Sequence, residues 1–283
     1  MKKNRLTRQK HKRRVRRIQK LFLISVVVLA AGGFLWNRCS RIIGNNLGVG
    51  DYSMTALSDS FIGKNEIERY AKKHGFTLSD YPENMIELYE KNEEAREYVL
   101  EYPMNKDTVQ EIHLEEYASA DQVPLLMQWD QRWGYKGYAG APMGLSGCGP
   151  TCLSMVTIFL TGDTSKNPAW MADFATEHGY AVDDVGSDWA LMSQGGLELG
   201  MDVTEIPPDK ERVEDNLYVG NPIVAIMGPG DFTTEGHFIV LTGMEDGKWK
   251  VNDPNSRKKS EKVWDPDLVL GQARDLWVFR KAE

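Results

Sequence analysis

Cysteine is scarce in this chain of 283 residues, which has three. A small secreted domain stapled by bridges carries a larger, even set, so no disulfide framework is expected. Cys148 and Cys152 lie one turn apart on a predicted helix, which is poor geometry for a structural bridge. The common zinc signatures are missing too, with no His-Glu-x-x-His and no Cys-x-x-Cys. Asp183, Asp184 and Asp188 read as a solvated loop, and Gly228-Pro229-Gly230 as a turn, since no helix start follows to cradle a phosphate. No metal or other cofactor is expected. The domain has to stand on its hydrophobic core, and its thiols need another explanation.

Acids are absent from the first twenty positions, which hold eleven of the 34 Lys and Arg. The rest of the chain then carries 23 bases against all 41 acids, a net of −18. That balance disfavours nucleic-acid binding by the bulk of the chain. Long apolar runs are also lacking, except one: residues 21–36, LFLISVVVLAAGGFLW, carry no charge. A charge-dense flank before such a run marks the cytoplasmic side. Sixteen helical residues span about 24 Å, close to a hydrocarbon core of about 30 Å once Lys20 and Arg38 snorkel. The expectation is a basic cytoplasmic tail (1–20) and a signal anchor (21–37). A cleaved signal peptide is the competing reading. Lipidation at Cys39 is a third, weakened because Asn37-Arg38 lacks the small residues that processing needs. Each of the three puts the acidic bulk outside the cytoplasm.

Residues 38–80 read as a juxtamembrane tether that contains a short helix over 64–74, stopped at Gly75. Residues 81–121 read as a helical stalk or cap, with one helix over 82–102 and Pro103 as its stop. A stalk, a cap and an inhibitory segment over a cleft all fit that pattern. From residue 122 to 283 aromatics and glycines rise, as in a compact domain. Helices are predicted over 151–160, 169–178 and 188–199, then strands over 222–227, 238–242, 248–251 and 276–280. Helices first and antiparallel-type strands second make an α+β arrangement.

The chemistry is concentrated in Leu145-Ser146-Gly147-Cys148-Gly149-Pro150-Thr151, where a glycine-rich loop becomes an apolar helix. A cysteine attacks only as thiolate, and a helix start or a neighbouring imidazolium favours that form. Cys152, inside the apolar helix, is the better candidate for mere packing. Among five histidines, His11 lies in the tail, His74 and His178 sit at helix ends, and His113 stands in an acidic stretch. Only His237 opens a strand, GHFIVLTG, where its ring can project towards a helix start. Asp253 ends the next strand and is the favoured orienting partner. Asn252 is the alternative, although strand alternation turns it to the opposite face. Acyl transfer also needs oxyanion donors: the Cys148 N–H and a side-chain amide, Gln128 or, failing that, Gln131. Trp129 and Trp133 read as packing residues of that loop.

Four blocks in order, VPLLMQWDQRWG, SGCGPTCLSMV, GHFIVLTG and VNDPNS, resemble the C39-like branch of papain-type cysteine peptidases over about residues 122–281. The resemblance implies a papain-like fold, a helical half bearing the nucleophile packed on an antiparallel sheet. It also implies a Cys148–His237–Asp253 triad with Gln128 as the oxyanion glutamine. In the bacteriocin-processing members that glutamine lies only a few residues before the cysteine, whereas Gln128 lies twenty before Cys148. The expected partners are a peptide or protein substrate and, through the N-terminal helix, a membrane. An acyltransferase using the same thiol intermediate and a non-catalytic peptide-binding module remain alternatives.

Overall fold

The computed structural model describes residues 53–282, with side chains from residue 63 onward. The basic tail, the apolar segment and the first part of the tether lie outside the described residues. Among those described, no helix is long and apolar enough to cross a membrane. The chain divides between Asp59 and Ser60, and the packing below belongs to the unit that starts at Ser60.

The N-terminal helices differ from their expected outlines. Helix α1, Ser53–Lys73, begins well before residue 64, so the second half of the expected tether is largely helical. Once a nucleus exists, each further turn adds hydrogen bonds at little cost, which sequence periodicity does not register. The single helix expected over 82–102 is two: α2, Glu83–Lys91, and α3, Arg96–Asn105. They part at Asn92, whose side-chain oxygen accepts from the Glu94 N–H at 3.0 Å. Pro103 lies inside α3 instead of ending it, and the turn beyond it closes through the Lys106 N–H on the Tyr102 carbonyl.

These helices are not a free-standing stalk. Ile67 of α1, Met85 and Tyr89 of α2, and Tyr98 and Val99 of α3 share one core with Met127, Trp129 and Tyr135 of the following domain. A fully buried aliphatic side chain stabilises by about 1.5–3 kcal/mol, so undocking the cap would cost several such contributions.

The domain itself is α+β, as expected. Helix α4, Cys148–Thr161, starts at the candidate nucleophile and is buried over most of its length; α5 spans Pro168–Glu177. Strand β1, Met201–Ile206, helix α6, Lys210–Tyr218, and strands β2, Ile223–Met227, β3, His237–Glu245, and β4, Lys248–Asn252, follow. The chain finishes with β5, Val263–Trp264, α7, Pro266–Gln272, and β6, Ala273–Lys281. The six strands form one antiparallel sheet in the order β1-β6-β2-β3-β4-β5. Alternate residues of its middle strands serve two cores. Val224, Ile226, Phe238, Val240, Trp277 and Phe279 pack with α4 and α5. Ile223, Ala225, Ile239, Leu241, Leu276 and Val278 pack with Val213 and Leu217 of α6 and Val269 of α7. Both faces are covered, which is why these strands read as unbroken apolar runs. β3 at the middle therefore carries His237 to the mouth of α4.

Candidate active site

Cys148 is the first residue of α4, and its half-buried thiol faces β3. As the first helical residue, its own N–H has no acceptor within the helix. The neighbouring glycine is required by contact: a Cβ on Gly149 would lie 2.2 Å from Ser187 Oγ and 2.7 Å from Ser187 Cβ. Ser187 in turn bonds the Tyr138 hydroxyl at 2.6 Å, so two short hairpins wall this side of the thiol. Tyr138 and Ser187 carry no motif in the sequence; only the fold brings them beside Cys148.

His237 Nε2 lies 2.7 Å from Asp253 Oδ1. With Nε2 donating to the carboxylate, Nδ1 is the ring nitrogen left for the sulfur. Burial pushes the Cys148 thiol up, but the hydrogen bond and charge of His237, helped by the N–H groups of Phe238 and Gly149, outweigh it and hold the thiol below its ordinary range. Burial likewise works against the imidazolium, yet the Asp253 charge and hydrogen bond, with a smaller share from Cys148, raise His237 to about 10. Asp253 is fully buried. Burial alone would lift its carboxyl; the adjacent His237 charge and the Asn255 N–H hold it below the ordinary carboxylate range. An unpaired carboxylate there would cost several kcal/mol, so the ion pair is what lets the charge persist. Cys152 behaves oppositely: burial raises its thiol well above the usual range, and nothing opposes it.

Asn252 points elsewhere. Its amide donates to the carbonyls of Val123 at 3.0 Å and Pro124 at 3.2 Å, so it fastens the strand end to the entry of the domain. An aspartate there would confront two carbonyl oxygens with no proton to give, and Asn252→Asp is destabilising for that reason, not innocuous.

Gln128 is buried and bridges the two halves. Its Nε2 donates to the Gly144 carbonyl at 2.9 Å, in the helical turn Met143–Ser146 just before Cys148. Its backbone N–H donates to the Pro254 carbonyl at 2.8 Å, next to Asp253. Among the described residues, one amide hydrogen stays uncommitted and its Oε1 has no partner. Gln131 instead lines a separate cavity of about 270 Å³ beside Lys106, Arg132 and Lys136. Trp129 and Trp133 are both buried, with their indole N–H groups bound to the carbonyls of Asn255 and Met127.

Residues 120–279, more than half of the chain, match the model of the Peptidase_C39 like family. The chain belongs to that family. Within it, the helical half on an antiparallel sheet is the papain-like fold that the motifs imply, and the domain is of cysteine peptidase type. Similar solved structures include the peptidase domain of Streptococcus ComA, a bi-functional ABC transporter involved in a quorum sensing pathway. It is 18% identical, with 49% of this chain and 93% of that chain covered and a TM-score of 0.37. Another is a C39-like peptidase from Bacillus anthracis, 16% identical, with 58% and 100% covered and a TM-score of 0.35. No curated protein matches. In this family member the helices of residues 63–105 lie ahead of the matched region and still pack on the peptidase domain.

Proposed function

We propose that this chain is a membrane-anchored peptidase that hydrolyses a peptide bond outside the cytoplasm through an acyl-enzyme on Cys148. The observation that carries the reading is the buried His237–Asp253 contact beside a thiol at a helix start. The thiolate of Cys148 attacks the scissile carbonyl, and the developing oxyanion takes hydrogen bonds from the Cys148 N–H and from the free amide hydrogen of Gln128. Collapse breaks the C–N bond as the His237 imidazolium gives its proton to the leaving amine, which leaves a thioester. His237, now neutral, takes a proton from water; the resulting hydroxide equivalent attacks the thioester and frees the acid and the thiolate. Asp253 holds the imidazole in the tautomer and orientation both steps need.

Location outside the cytoplasm rests on the basic tail and the apolar run over residues 21–36. Protease added to intact cells should digest the domain while the N-terminal tail survives. A domain that is protected until lysis would rule out that orientation.

Two measurements test the chemistry. Iodoacetamide at mildly acidic pH should label Cys148 well before Cys152, and peptides released from cells should differ between the parent and Cys148→Ala. Equal, slow labelling of both thiols, together with identical peptide sets, would sink the enzymatic reading.

A further inference from the structure

The loop that follows Asp253 is held from outside the region that matches the family. One carboxylate oxygen, Oδ1, accepts from His237 Nε2 at 2.7 Å and from the Asn255 N–H at 2.8 Å. The other, Oδ2, is buried with no hydrogen-bond donor among the described residues, and the Lys259 ammonium stands 3.8 Å away. Among the described residues, the imidazole and the Asn255 N–H are the hydrogen-bond donors on this carboxylate. Whatever fixes Asn255 helps to fix the angle of the carboxylate.

Asn255 is held by the cap. Asn92 Nδ2 donates to the Asn255 carbonyl at 2.8 Å and to its side-chain oxygen at 3.1 Å. Two residues on, Glu94 accepts from Ser256 Oγ at 2.7 Å, from the Arg257 N–H at 2.9 Å and from the Lys258 N–H at 3.3 Å. A carboxylate on the free N–H groups of the turn Arg257–Ser260 satisfies donors that the turn cannot satisfy itself. The charges on this loop are all engaged: Lys258 with Glu93, Arg257 over the Trp129 ring, and Lys259 on the Phe232 carbonyl near Asp253. Loosening the loop would free the carboxylate to swing its unpartnered oxygen towards Lys259 and away from His237.

We propose that Asn92 and Glu94, at the junction between α2 and α3 ahead of the family-matched region, are positioning residues for the Asp253 carboxylate. The cap is then part of the working site and not only an attachment. This inference rests on the peptidase reading above, with Cys148 and His237 as its ion pair.

The test follows iodoacetamide alkylation of Cys148 in the full chain across pH, with thermal melting as a control. Glu94→Ala should weaken the support of Asp253 for the imidazolium and shift the acid midpoint of alkylation upward, giving about tenfold slower labelling at pH 6. Glu94→Gln keeps one acceptor oxygen for Ser256 Oγ and the Lys258 N–H but loses the one on the Arg257 N–H, so its labelling should fall between the parent and Glu94→Ala. Asn92→Ala removes the hold on Asn255 together with the cap on the Glu94 N–H and should shift the midpoint in the same direction; it decides the matter if Glu94→Ala does not fold. Folded variants with the parent's midpoint overturn the positioning role, even where melting falls. A parent chain whose Cys148 alkylates no faster than an ordinary thiol overturns the peptidase reading instead.

Discussion

His237 Nε2 lies 2.7 Å from Asp253 Oδ1 across sixteen residues of chain, while the second oxygen of the same carboxylate has no hydrogen-bond partner among the described residues. The pair is joined through a single oxygen in a buried setting. Its neighbour Asn252 is spent on the Val123 and Pro124 carbonyls. Adjacent residues thus have separate duties, one electrostatic and one architectural.

Exchanging them should separate activity from stability. Asp253→Asn keeps the volume but removes the charge that sustains the imidazolium, so turnover should fall by a factor of about 10² to 10⁴ with little change in melting. Asn252→Asp should do the reverse, costing about 1–3 kcal/mol of stability through two orphaned carbonyls. Peptide release and thermal melts on both variants measure the two effects. A stable, inactive Asn252→Asp beside an active Asp253→Asn would reassign the orienter.

Stability against pH should carry the mark of the ion pair. In the fold His237 keeps its proton to about 10, whereas in the unfolded chain it loses it near 6.5. Stability from that proton is complete below 6.5 and drains as pH rises through 10. Cys148 runs the other way: its folded value lies below the ordinary 9.0, so its contribution is present above 9.0 and lost on acidification. Where both shifts act they offset, and above 9, once the unfolded thiol has also ionised, the loss from His237 is unopposed. Cys148→Ala removes the offset and leaves Asp253 holding the imidazolium, so its stability should begin to fall near pH 6.5. Denaturant melts from pH 6 to 10.5 on the two proteins test this; superimposable curves would contradict the pairing.

Gly149→Ala should show how little room surrounds Cys148. The new methyl would lie 2.2 Å from Ser187 Oγ, against a hairpin whose hydroxyl is already bound to Tyr138. Overpacking of this kind costs about 1–3 kcal/mol. Thermal melting should drop by several degrees, and Cys148 alkylation should slow as α4 shifts. Unchanged melting and alkylation would mean that the hairpin yields freely.

Much of this domain was legible before any coordinates. The apolar runs at 222–227 and 238–242 are strands because both faces of the middle of the sheet are covered, and that leaves a plain signature. β1 left none: its MDVTEI alternates weakly, and as an edge strand paired only with β6 it keeps its middle residues partly or fully exposed. Helices α6 and α7 were also missed, although Asp209 caps the first, and Asp265, followed by Pro266, caps the second. Those are local start signals that pattern-matching for apolar faces passes over.

Linear order by itself marked the candidate residues: a cysteine between glycines at a helix start, one histidine opening a strand, and a carboxylate closing the next. Residue type and spacing suffice for that, because helix starts and strand ends are local events. Strand alternation already turned Asn252 away from the imidazole, but only tertiary structure gave it the Val123 and Pro124 carbonyls to hold. Only the fold separated Gln128, between Gly144 and Pro254, from Gln131 in another cavity. It also placed Asn92 and Glu94 behind the loop of Asp253, more than 160 residues away in sequence. Contacts of such separation depend on how packed layers meet, and no periodicity along the chain records them.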